Sequence, residues 1–153
     1  MNTFLANLPA WLKQESGPDL VLRETLKQFA AETGTIHRLD AATQLLHLAA
    51  QVGVPPQLLE IVKTIPVGKG IAGQTAQQNR PVSICNLQTD TSGVAKPGAR
   101  QTGVGGAICV PIRRGETLVG TFGIGTAREH EYTAAEINLL QDIARVVGEH
   151  WPA

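Results

Sequence analysis

A layered α+β domain built on an antiparallel sheet is predicted by three features: helical periodicity at both ends of the chain, period-two runs between them, and short helical segments beside a long irregular loop. The first segment, Thr3–Glu15, carries Phe4, Leu5, Leu8, Trp11 and Leu12 at helical spacing around Pro9, which predicts a short amphipathic helix or a pair of turns. Residues 1–17 are therefore read as an amphipathic extension and 18–153 as the domain proper. After the breaker Gly17–Pro18, Asp19 is placed to cap a helix running to about Glu32, with Leu22, Leu26 and Phe29 on one stripe.

Gly34 is expected to end that helix. The pattern then turns extended: Thr35–Leu39, a turn at Asp40–Thr43, and Gln44–Val52 read as a β-hairpin. Gln57–Thr64 predicts a short helix through Leu58, Leu59 and Val62, and Ile65–Gly73 a turn-rich entry into a second one ending near Asn79. A strand follows at Pro81–Cys85. The polar, glycine-rich stretch Asn86–Gly106 is longer than the usual connection in a compact domain, and such loops are commonly functional. Strands at Ala107–Ile112 and Thr117–Thr126, joined at Arg113–Glu116, lead to a last helix, Thr133–His150. Thr133 and Glu136 form a capping box there, and Ile137, Leu140, Ile143, Ala144 and Val147 one apolar stripe.

The composition, 42% hydrophobic and 17% charged, is that of a globular chain. Thirteen basic and thirteen acidic residues cancel, so no overall field draws the chain to nucleic acid or to an anionic membrane. The sequence has no apolar run long enough to span a bilayer, and Met1–Ala10 lacks the basic flank and apolar centre of a signal peptide, so a cytoplasmic location is expected. Cys85 and Cys109, far apart in sequence, give no disulfide framework and no zinc motif. Of the four histidines only His37 and His47 fall on one hairpin. Two ligands without a third make a poor metal site, so no metal and ordinary histidines are expected.

Period-two geometry divides the last two strands. Leu118, Phe122 and Ile124 form one face, and Val119, Thr121, Gly123 and Gly125 the other; in the neighbouring strand Ile108, Val110 and Ile112 oppose the smaller Ala107, Cys109 and Pro111. The large side chains should meet the terminal helices. The small ones leave a concavity roofed by the Ile71–Asn79 helix, which carries Thr75, and by the long loop.

IPVGKGIAGQTAQQNRPVSI at Ile65–Ile84, ICVPIRRGETLVGTFGIGT at Ile108–Thr126 and YTAAEINLLQDIA at Tyr132–Ala144 together resemble, in order, the signature stretches of GAF domains. The resemblance covers roughly Leu20 to Trp151. It implies a central antiparallel sheet with the terminal helices on one face, and short helices with a long loop forming a pocket on the other. It also implies a sensor that holds a small molecule in that pocket and signals through a partner protein or its own dimer. On this reading Thr75, Ala107, Cys109, Thr121 and Gly123 line the pocket, while Lys96, Arg100, Gln101 and Thr102 in the loop contribute donors suited to an anion, with Arg100 as the planar one.

Some GAF relatives reduce free methionine sulfoxide with cysteines in the glycine turn and the loop. Here the turn has Ala72 and Asn86–Ile108 has no cysteine, so an enzyme of that kind would have to use Cys85 and Cys109 instead. The cyclic-nucleotide pattern is only approximated at Gly125–Thr126, Tyr132 and Ala135–Glu136, and the cysteine–histidine pair of bilin-binding relatives is missing from the loop. The resemblance therefore favours a non-catalytic binding module. A divergent reductase and a ligand-free dimerisation adaptor are the alternatives, and the terminal helices, with Trp11 and Trp151, are the expected dimer surface.

Overall fold

The computed structural model describes residues 2–84 and 105–151, and is an α+β fold. In chain order its elements are α1 (Asn2–Leu12), α2 (Gly17–Phe29), β1 (Thr33–Asp40), β2 (Leu45–Val52), α3 (Pro56–Val62), β3 (Thr64–Pro66), α4 (Gly70–Gln78), β4 (Val82–Ile84), β5 (Gly106–Arg114), β6 (Thr117–Thr126) and α5 (Ala134–His150). The strands form one antiparallel sheet in the order β3-β2-β1-β6-β5-β4. The expected hairpin is β1–β2, and the expected capping box opens α5: Thr133 Oγ1 accepts from the Glu136 amide at 3.1 Å, and the Glu136 carboxylate accepts from the Thr133 amide at 2.9 Å.

One face of the sheet is covered by α1, α2 and α5. Phe4 and Leu8 of α1, Leu22 and Leu26 of α2, and Leu140 and Ile143 of α5 pack on Ile36, Ile108, Val110, Phe122 and Ile124 of the sheet as one apolar core. Two glycines allow close approaches in this layer. A Cβ on Gly17 would lie 2.8 Å from the Trp11 carbonyl oxygen, and one on Gly148 would lie 2.1 Å from that of Arg113. Arg114 ties the same helix end to the sheet, its guanidinium donating to the Gly148 carbonyl at 3.2 Å and to that of Trp151.

The structure corrects several sequence expectations. Helix α2 begins at Gly17 rather than at Asp19, with Pro18 in the first turn, where its missing N–H costs nothing. It ends at Ala30 rather than Gly34: Ala30 takes the left-handed conformation, and Ala31 donates to the Leu26 carbonyl at 3.0 Å, as at a Schellman end. Gly34 belongs to β1. Strand β3 was not anticipated, because three residues including a proline carry no periodicity; it exists through its pairing with the β2 edge. Val119 packs against the helix layer instead of the small-residue face. The register shift between Ile112 and Arg113 explains it, since a bulge inserts one extra residue and reverses the alternation beyond it.

Candidate functional site

The opposite face of the sheet is covered by α3 and α4. The turn into α4 is built as the glycines suggested: Gly68 and Gly70 have φ of +94° and +64°, and a Cβ on Gly73 would meet the Pro66 carbonyl oxygen at 2.6 Å. This geometry lays α4 across β5 and β6. Thr75, fully buried, donates its hydroxyl to the Ile71 carbonyl at 2.8 Å within the helix.

The ladders place the small residues side by side. Cys109 stands opposite Gly123, and Gly123 in turn opposite Thr35; Ala107 stands opposite Gly125, and Thr121 lies between Pro111 and His37. Thus Thr75, Cys109, Thr121 and Gly123 share one small, largely buried region beneath α4, with Ala107 beside it. Lys96, Arg100, Gln101 and Thr102 of the expected site, and Cys85, lie outside the described residues.

Two of these groups titrate abnormally. Burial pushes the Cys109 thiol up to about 11, against the opposing pull of Thr75, Thr121 and the Phe122 backbone, so at neutral pH it is a protonated thiol rather than a nucleophilic thiolate. Burial likewise holds His37 below its ordinary value, partly offset by a hydrogen bond to the Val62 carbonyl. Because a carbonyl only accepts, the 2.8 Å contact between His37 Nε2 and Val62 O puts the proton on Nε2 and leaves Nδ1 as a bare acceptor.

That acceptor is unused. Among the described residues the buried side-chain polar atoms without a partner are His37 Nδ1, Thr121 Oγ1 and Tyr132 Oη. The first two belong to residues directly opposite each other on β1 and β6, each about 1% exposed. Each such orphan costs about 1–3 kcal/mol, and two of them meet on this one patch. Sequence reasoning passed over His37 as a site residue. The signal was the alternation itself: with Ile36 in the core, its neighbour must face the other way.

His47 stands opposite Arg38, on the other side of the strand from His37, so the two histidines do not converge. Among the described residues no three metal-ligating side chains cluster. A shallow groove of about 340 Å³ at the end of the β1–β2 hairpin is lined by Arg38, Leu39, Asp40, Ala41 and His47, and contains none of the expected site residues.

The sequence profile of the GAF domain family matches residues 19–150. The chain belongs to the GAF domain family. Solved structures share the fold at low identity. The GAF domain of a phosphoenolpyruvate-protein phosphotransferase from Coxiella burnetii superposes with a TM-score of 0.81 at 15% identity, over 97% of this chain and 90% of that one. A free methionine-R-sulfoxide reductase from Neisseria meningitidis, in complex with its substrate, gives 0.78 at 14%, over 96% and 85%. A GAF domain of A. aeolicus in an inactive state gives 0.74 at 19%, over 97% and 93%. None of the curated proteins compared matches the sequence. The fold is thus shared with other GAF domains and with a free methionine-R-sulfoxide reductase, and no helix among the described residues is long and apolar enough to cross a membrane.

Proposed function

We propose that this GAF domain is a non-catalytic regulatory module of the cytoplasm, which binds a small molecule on the sheet face beneath α4. The observation that carries the reading is the buried polar patch of Thr75, Cys109, Thr121 and His37 on a face where a fold needs only apolar filling. Occupancy there would change the packing of β1, β5 and β6, whose other faces hold α1, α2 and α5. Those helices would pass the change to a partner protein or a second copy of the chain, since a ligand acts only through contacts that differ between two states. From sequence, Arg100 and its loop neighbours would hold an anionic group of the ligand at the outer end.

What favours the non-catalytic reading over a reductase using Cys85 and Cys109 is that Cys109 is buried and its thiol is held protonated. Native mass spectrometry of the freshly purified protein, followed by a thermal-shift screen of small anions, amino acids and nucleotides, tests the proposal. A ligand at one hundred times its Kd should stabilise the fold by about 2.7 kcal/mol. A screen in which no compound raises the melting temperature, or thioredoxin-coupled turnover of free methionine sulfoxide, would overturn it.

A further inference from the structure

His37 Nδ1 and Thr121 Oγ1 sit opposite each other across the β1–β6 ladder, each buried and each without a hydrogen-bond partner. Their chemistry is specific. Nδ1 offers a lone pair only, because the other ring nitrogen donates to the Val62 carbonyl. The Thr121 hydroxyl can donate or accept, and it is unpaired although it lies near enough to the Cys109 thiol to act on it.

Among the described residues the surrounding wall is uncharged. Helix α4 contains no ionisable residue, and the sheet positions next to the pair on this side are Thr35, Leu48, Cys109, Pro111 and Gly123. A carboxylate or phosphate oxygen would meet the bare lone pair of the neutral His37 ring and could be held only by protonating it, against the burial that keeps this ring uncharged. An ammonium would find no carboxylate on this wall to offset its desolvation. A primary carboxamide carries the complement of both atoms in one group: an N–H to donate to Nδ1 and a carbonyl oxygen to accept from the Thr121 hydroxyl.

We propose that His37 and Thr121 form the inner, polar end of the binding site and select a ligand whose buried end is an uncharged carboxamide. This rests on the ligand-binding reading above and adds the chemistry of the group that enters deepest.

The test uses the full chain labelled with ¹⁵N-histidine and titrated with acetamide, with sodium acetate and methylammonium chloride as charged counterparts. Acetamide should move the His37 Nδ1 resonance saturably, and neither charged probe should. Thr121→Val, which keeps the shape and removes the hydroxyl, should weaken acetamide binding by about fivefold. It should leave the melting temperature unchanged or raised, because an orphan polar group has been removed. An Nδ1 signal indifferent to acetamide overturns the assignment, as does an equal response to acetate, or a Thr121→Val variant that melts earlier and binds acetamide as before. A metabolite that raises the melting temperature without moving the His37 resonances overturns this assignment and leaves the ligand-binding reading standing. Silence from both the metabolite screen and acetamide removes both.

Discussion

Phe122 and Gly123 are adjacent in β6 and meet opposite surroundings. Phe122 points into the helix layer, where it is fully buried among aliphatic side chains. Gly123 turns to the other face, half-buried, with the Cys109 sulfur and the Thr35 hydroxyl as the nearest atoms a side chain would touch, at 3.5 and 3.6 Å. The helix face spends its residues on close packing: its buried Thr25 hydroxyl donates to Val21 O at 2.7 Å within its own helix, and Tyr132 Oη is the one buried side-chain polar atom of its core left without a partner among the described residues. The α4 face keeps small residues and leaves hydrogen-bonding atoms open. One face is thus optimised for stability, and the other gives some stability up, as binding sites commonly do.

If that division is real, the faces must answer mutation differently. Phe122→Ala should cost about 3–5 kcal/mol in denaturant unfolding, the range for emptying an aromatic site in a closed core. A loss under about 1 kcal/mol would mean that the helix layer collapses around the gap and is not rigidly packed. Gly148→Ala tests the same layer from the helix side. With the new methyl only 2.1 Å from the Arg113 carbonyl oxygen, α5 must move off β5, and a loss of about 3 kcal/mol is expected. An unchanged denaturation midpoint would show that α5 is free to shift.

The helix face was largely legible in the sequence, and the α4 face only in part. Local chemistry gave the capping box at Thr133 and Glu136, the stripes of α2 and α5, the β1–β2 hairpin and the glycine turn at Gly68–Gly73, because each is decided within a few residues. Tertiary decisions were hidden. The bulge that turns Val119 toward the helices, and the pairing that makes Thr64–Pro66 a strand, arise only when another strand is alongside. His37 is the instructive case, since its tautomer is set by Val62, a residue distant in sequence and brought near by the fold. Arg100 and its loop neighbours lie outside the described residues, so the outer end of the site rests on sequence alone.

Acid should weaken the fold through the α4 face. The folded pKa of His37 lies below its ordinary value of 6.5. As pH falls below 6.5, the unfolded chain therefore takes up a proton that the folded chain refuses. Stability declines through that window, the loss is complete once pH is below the folded pKa, and this residue contributes no slope above neutrality. His37→Gln retains a donor for Val62 and does not titrate, so its stability profile should lose this acid slope. An identical slope in wild type and variant would locate the effect elsewhere.

The smallest expected change is the most diagnostic. Gly123→Ala places a methyl at ordinary contact distance from Cys109 and Thr35, in a backbone conformation open to any residue, so its stability should stay within about 0.5 kcal/mol of wild type. The same methyl would occupy space on the ligand side of the sheet. A compound that stabilises the wild-type domain should therefore stabilise this variant markedly less, as read by paired thermal shifts at equal ligand concentration. If Gly123→Ala instead unfolds the protein as Phe122→Ala does, the two faces are equally packed and the contrast between them fails. If it folds normally and the ligand-induced shift is undiminished, the ligand binds away from β6. Only a normal apo stability combined with a lost ligand response fits a face whose small residues are kept for what they admit.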